Sequence, residues 1–101
     1  MEEQSQIKVG DGLTICVGSD RYSHTIISYE NNILEIQKDS NNLPDINGFT
    51  TLLKKYVNRR TMEIEWYRVV FNERTGRYNK IQKKPERLRF GIRDSYYDPN
   101  F

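Results

Sequence analysis

Apolar and polar positions alternate along most of the chain. Residues 13–17, "LTICV", alternate apolar with smaller or polar side chains, the period of two expected of a half-buried strand. Gly18-Ser19-Asp20-Arg21 is turn chemistry, and residues 22–30 are rich in Tyr, Thr and Ile, which suit a pleated surface. Asn31-Asn32 can supply two positive φ values, hence a two-residue hairpin loop from which 33–38 return. With that loop, Glu30 faces Ile33, Tyr29 faces Leu34 and Ile27 faces Ile36. If Val17 pairs with Ser23, Leu13 joins Ile27 and Ile36 in one row. Opposed apolar pairs are the unit of sheet stabilisation, so the prediction is a three-stranded meander with one apolar face.

The remainder reads less evenly. Asn, Asp, Pro and Gly crowd 39–49, "DSNNLPDINGF", which predicts a loop. Residues 50–61 are ambiguous: "TTLLKKYV" fits a strand or a helical turn, and "NRRT" breaks it. Residues 62–72, "MEIEWYRVVFN", are β-branched and aromatic and predict a strand. "ERTG" offers Gly76 for a left-handed turn position, 77–82 return as the partner strand, and "KKPER" reads as exposed. In 87–93, Leu88, Phe90 and Ile92 alternate with Arg89 and Gly91, a strand with one buried face. No long amphipathic helix is available to cover an open sheet. The fold expected is all-β: one small antiparallel barrel, SH3-like or a meander, of six or seven short strands. A flexible N-terminus (1–6) precedes one barrel domain (7–101).

Composition adjusts this picture. The 101 residues are 36% hydrophobic and 30% charged, polar for a globular domain, yet seven Tyr, four Phe and one Trp argue for a folded protein with a thin core. No run of about 18 apolar residues is present to span a membrane, and the acidic start "MEEQSQ" is unlike a signal peptide. The single Cys cannot form an intramolecular disulfide, which makes the cytoplasm of the producing or host cell the default location.

Charge is divided. Residues 1–50 hold three bases against eight acids, and residues 51–101 hold thirteen bases against six acids. Arg74, Arg77, Lys80, Lys83, Lys84, Arg87, Arg89 and Arg93 fall in one stretch with a single acid, Glu86. Such asymmetry suggests a polyanionic partner; the plainer reading is a barrel that interleaves its halves and cancels much of the field. Trp66, Tyr67, Tyr78 and Phe90 share strands with these bases, and nucleic-acid platforms combine a basic groove with stacking rings. Trp66 and Phe90 serve equally well as core in a chain poor in aliphatics.

Two resemblances bear on the fold. "VGDGLTICVGSDRYSHTIISYENNILEIQKD" resembles the first three strands of SH3-like small barrels, including Tudor-type domains, with Val9, Gly10, Asp11, Asp20, Tyr22, Ile26 and Ile27 in matching places. Of the rings a Tudor-type cage needs, this segment holds Tyr22 and Tyr29, and Tyr29 reads as core. A longer resemblance runs through "VGDGLTICVGSDRY", "DINGF", "RTGRY" and "GIRDSYYDPNF", which together look like a set of small proteins encoded by phages, viruses and bacteria. It implies a compact accessory protein and transfers no active site.

Reactive side chains are few. In the register above, Cys16 and His24 face each other, and a thiolate–imidazole pair can act as nucleophile and base. It also needs an orienting group and an oxyanion site, and nothing nearby offers a clear one; the plain alternative is a small buried or half-buried thiol beside a surface His. One Cys and one His fall short of a structural zinc site. Framed with Gly48 in sixth place, "DINGF" puts Leu43 and Lys54 where a calcium loop needs oxygen ligands. No Walker or dinucleotide glycine loop occurs, and no cofactor is predicted. The tail "YYDPNF" has two readings: Tyr96 or Tyr97 and Phe101 close the barrel, or the end is a recognition motif. The expectation is a non-catalytic accessory binding protein of viral or mobile-element type acting on a host macromolecule. Second comes a nucleic-acid-binding barrel using the basic half, and third an enzyme with Cys16 and His24. The partner is a protein or a nucleic acid, with no membrane role.

Overall fold

A computed structural model describes residues 7–93. Seven strands form one antiparallel sheet: β1 (Gly12–Val17), β2 (Asp20–Glu30), β3 (Ile33–Lys38), β4 (Thr50–Val57), β5 (Ile64–Asn72), β6 (Arg77–Lys80) and β7 (Arg87–Phe90). Their order is β6-β5-β4-β3-β2-β1-β7. The first six are a meander of hairpin neighbours, as expected; β7 leaves β6 and pairs instead with the far edge of β1, Leu13 opposite Phe90 and Ile15 opposite Leu88. The ladder ends at β6 and β7. Glu86, just ahead of β7, makes an isolated bridge to Trp66 in β5, its N–H donating to the Trp66 carbonyl at 2.8 Å. None of the described elements is a helix long and apolar enough to cross a membrane.

The turns follow their residue types. Asn31 and Asn32 have φ of 52° and 66°, the doubly left-handed pair a tight β2–β3 hairpin needs. Asn41 and Asn42 repeat the device inside the 39–49 loop, at φ of 53° and 61°, closing a bridge between Ser40 and Leu43. "TTLLKKYV" is resolved as β4 because it has strand partners on both sides, with Leu53 opposite both Leu34 and Arg68.

Two register expectations are corrected. Glu30–Ile33, Tyr29–Leu34 and Ser28–Glu35 pair as predicted, but a bulge at Ile27 then puts Ile26, not Ile27, opposite Ile36. A bulge inserts one unpaired residue and switches the parity of everything beyond it. Ile26 is therefore buried and Ile27 half-buried. In β1–β2, Gly18 adopts φ 58° and the loop shrinks to Gly18-Ser19, so Val17 pairs with Asp20 rather than Ser23. Leu13 then faces His24, and Cys16 faces Arg21.

The core is Leu13, Ile15, Ile26, Leu34, Ile36, Leu53 and Trp66, with Ile7, Tyr29, Ile64, Leu88 and Phe90 packed against it. Each large aliphatic so buried contributes about 1.5–3 kcal/mol over leaving it in water. Trp66 joins the rings, tilted against Tyr29 at 6.0 Å and Phe90 at 5.8 Å between centroids. Aromatic rings thus complete a thin aliphatic core, as composition suggested. Ile92, expected inside, lies past the end of β7 and is 46% exposed.

Candidate functional site

Strand parity places polar side chains at one end of the inward rows. On β3, Leu34 and Ile36 are followed at the same parity by Lys38; on β2, Ile26 is preceded by His24 and Tyr22; on β5, Trp66 is followed by Arg68. Alternation sends each of these toward the same face as its apolar neighbour. With Ile15, Phe49 and Thr51 they line a cavity of about 210 Å³ at this mouth of the sheet.

Phe49 is held there by its backbone. Lys38 N–H donates to the Phe49 carbonyl (2.8 Å), and the Gln37 side-chain amide donates to the carbonyls of Ile46 (2.9 Å) and Gly48 (3.1 Å). Asp45 Oδ1 accepts from Asn47 N–H at 2.9 Å, which tightens the turn. Gly48 lies so close to the Lys38 carbonyl that any Cβ there would overlap it. The loop is thereby fixed while the Phe49 side chain stays 84% exposed. An exposed ring on a fixed loop at the rim of a cavity is a surface ready for contact.

His24 is 6% exposed. Its Nδ1 lies 2.9 Å from the Tyr22 carbonyl, a contact that requires the proton on Nδ1 and leaves Nε2 as the acceptor. Burial holds its pKa below the usual histidine value; the Tyr22 carbonyl and Asp39 oppose that shift, while Arg68 and Lys38 add to it. The ring is neutral at pH 7. The Lys38 ammonium stands 5.5 Å from the Tyr22 ring centroid, and the Tyr22 hydroxyl donates to Asp20 at 3.3 Å. Arg68 Nε donates to Glu86 Oε2 at 2.6 Å, while its backbone N–H donates to Gln82 Oε1 at 2.7 Å. Arg68 thus ties the cavity to the segment that carries Lys83, Lys84 and Arg87. Among the described residues lining this cavity two are cationic and none is acidic. A second cavity, of about 180 Å³, reverses this: Glu30 and Glu35 line it with Ser28, Asn31, Ile33, Leu52 and Tyr78, and no base does.

The eight bases singled out in the sequence lie on several elements. Lys80 lies on β6, which pairs with β5, whereas Arg87 and Arg89 lie on β7, which pairs with β1. The Lys80 ammonium sits 4.3 Å from the Tyr56 ring centroid and 3.9 Å from that of Tyr67. Arg93 is structural. Its Nε lies 3.2 Å from Asp39 Oδ2, whose side chain is fully buried, as an ion pair rather than an aligned hydrogen bond. Its terminal nitrogen donates to the carbonyl of Gly10 (3.0 Å) and to Thr25 Oγ1 (3.2 Å), and Thr25 Oγ1 donates to Asp39 Oδ1 (2.6 Å). Arg74 and Arg77 are exposed at the β5–β6 turn, and Lys83, Lys84, Arg87 and Arg89 are exposed around and along β7. Of the eight, Lys83 and Lys84 immediately precede Pro85-Glu86, whose carboxylate sits on Arg68, while Arg87 pairs with Cys16 and shares its outward face.

Cys16 and His24 are not a pair. Cys16 faces Arg21 on β2 and Arg87 on β7, one residue out of phase with the inward Ile15, so it points to the opposite face of the sheet from His24. The expectation of a surface His is likewise corrected, since His24 is buried. The tail residues Tyr96, Tyr97 and Phe101 lie outside the described residues. Sequence reasoning passed over Lys38, Phe49, Thr51 and Arg68. The parity of Lys38 after Leu34 and Ile36, and of Arg68 after Trp66, was the available signal. No protein-family model, curated protein or solved structure matches the chain.

Proposed function

We propose that this chain is a non-catalytic binding protein that grips an anionic macromolecule at the mouth lined by His24, Lys38, Phe49 and Arg68. The observation that carries this reading is the lining itself: Lys38, Arg68 with its Nε on Glu86, a buried imidazole and an exposed ring, with no carboxylate among the described lining residues. The longer resemblance adds that it is an accessory protein of viral or mobile-element type, acting on a host macromolecule in the cytoplasm. We further read the sheet as a small barrel of SH3-like kind. The Trp66–Glu86 bridge, the Arg68–Glu86 ion pair and the Trp66–Phe90 ring contact support closure by drawing β5 toward the chain around β7. The separation of Cys16 and His24 onto opposite faces supports binding over nucleophilic catalysis.

Low-molecular-weight heparin serves as a generic polyanion for the test. Titrated at low salt into the ¹⁵N-labelled chain, it is expected to shift the amides of Tyr22, His24, Lys38, Phe49, Thr51 and Arg68. The effect should fade as salt rises, because phosphate- or sulfate-type attraction is screened. Shifts confined to Arg74 and Arg77 would move the site to the β5–β6 turn, and no shifts at all would refute the reading.

A further inference from the structure

The mouth has a shape and a chemistry narrower than anion binding. A polyanion with no rings would use Lys38 and Arg68 and leave Phe49 and the His24 acceptor without a role. Phe49 is the most exposed ring among the described residues, and its loop is pinned at Gln37, Lys38 and Gly48. A face that open and that well fixed offers a planar partner a stacking surface at little ordering cost, which is how single-stranded nucleic acids are held without sequence preference.

The cavity is about 210 Å³. That volume admits one flat ring system with part of its sugar. It does not admit a base still paired and stacked in a duplex, which must first be extruded. The walls suit a base. His24 holds its proton on Nδ1 for the Tyr22 carbonyl, so the ring presents an acceptor to an amino or imino N–H. Thr51 supplies a hydroxyl that can donate or accept, and Lys38 and Arg68 supply donors to ring nitrogens, carbonyls or phosphate. Asp39, the acid nearest in sequence to Lys38, is occupied by Arg93 and Thr25 and does not oppose an anion from within the cavity.

Outside the cavity the charge continues. Glu86 is drawn onto Arg68 at 2.6 Å, and just before it along the chain Lys83 and Lys84 are exposed. A ligand with one isolated anionic group would need only the interior cations. Bases repeated along the rim fit an anion that is itself repeated, as along a phosphodiester backbone.

We propose, resting on the reading of the mouth as an anion site, that it holds one unpaired nucleotide of a single-stranded nucleic acid. The base stacks on Phe49 and enters the cavity beside His24 and Thr51. The flanking phosphates run over Lys38, Arg68, Lys83 and Lys84.

The probe is a fluorescein-labelled oligothymidylate of about 15 nucleotides, a length within the range such folds cover, read by anisotropy at low salt. Three competitors are the same-length duplex, an abasic strand of equal charge, and poly-glutamate as an acidic polypeptide. Single strand is expected to bind best. Phe49→Ala should weaken it by about 5- to 150-fold, the equivalent of one lost base–aromatic stack, with the slope of affinity against salt unchanged. Because Phe49 is almost fully solvated, that variant should melt like the wild type. Reversing Lys83 and Lys84 to Glu should flatten the salt slope by about 1.4 units, as for two phosphate contacts on a single strand. An abasic strand or a duplex that competes as well as the single strand would overturn the proposal, as would a folded Phe49→Ala protein with wild-type affinity. If heparin still shifts the mouth amides in that case, the anion site stands and only base recognition fails. If poly-glutamate displaces heparin while no oligonucleotide binds, the ligand is an acidic protein segment and the proposal is wrong. If heparin too is without effect, both readings fall together.

Discussion

The inner and outer faces of this sheet use the same residue types to different ends. Inside, Trp66, Tyr29 and Phe90 pack ring on ring among Leu and Ile and exclude water. Outside, Tyr56 and Tyr67 meet edge to face at 5.5 Å and carry the Lys80 ammonium between them, while Phe71 packs on Tyr78 at 5.0 Å. Charge divides likewise. Lys38, His24 and Arg68 stand at the open end of the inner face, where a ligand can reach them. Asp39 and Arg93 lock each other in place with Thr25, joining the chain beyond β7 to β2. A basic residue in this chain therefore cannot be valued by its type. Lys80 stacks, Arg93 braces, and Lys83, Lys84 and Arg87 remain free to meet a partner.

The largest test of this division sits at the β2 bulge. Ile26→Asp would bury an unpaired carboxylate among Leu13, Ile36 and Leu53, which should cost more than about 4 kcal/mol and leave little folded protein. Ile27→Asp, one residue on and half-buried, should cost markedly less. Urea unfolding of both variants decides it, and a reversed ranking would remove the bulge and with it the parity that aims His24 inward.

Next in size is the outer brace. Arg93→Ala leaves the fully buried Asp39 carboxylate without its cation. A buried pair broken on one side costs about 3–5 kcal/mol, and since the Arg93 side chain is 27% exposed the loss should fall near the lower end. Thermal melts measure it. A variant as stable as the wild type would return Arg93 to the solvated bases.

The smallest effect concerns His24. Its folded pKa is depressed by burial, so the unfolded chain takes up a proton first as pH falls. Stability from this group is full above about 6.5, the ordinary value, and declines as pH drops from there toward the folded pKa. His24→Gln should lack that decline, measured as the difference in denaturation midpoint between pH 7.5 and pH 5.5. Parallel pH profiles would mean that the imidazole is not held neutral.

Much of the strand pattern was legible because its signals are local. Asn31-Asn32 announces left-handed backbone, Gly76 does the same at φ 69°, and the β-branched and aromatic run of β5 has no competing reading. What escaped was non-local. Ile26 and Ile27 are the same residue, so hydrophobicity could not say which faces inward, and the bulge shifted parity unseen. "TTLLKKYV" reads at either period until strands lie on both sides of it. The pairing of β7 with β1 joins residues about seventy-five positions apart, a distance over which composition carries no information. The site depended on all three. His24, Lys38, Phe49 and Arg68 come from separate elements and converge once the register is right, while the conspicuous bases between Arg74 and Arg93 spread over the β5–β6 turn, β6 and the chain around β7.

That β7–β1 pairing also bears on how the chain is made. β1 leaves the ribosome about seventy-five residues ahead of its β7 partner, so one edge of it stays bare until residues 87–90 have followed. A nascent chain thus carries the unpaired edge of Gly12–Val17 while all the strands between are made, beside Leu13 and Ile15, which have no complete core to enter. Open strand edges of this kind invite pairing with neighbouring chains, and contacts of long sequence separation form late. Translation that stalls before Arg87 should yield a sticky product, and a synthetic "RLRF" strand added in trans is the natural agent to cap it.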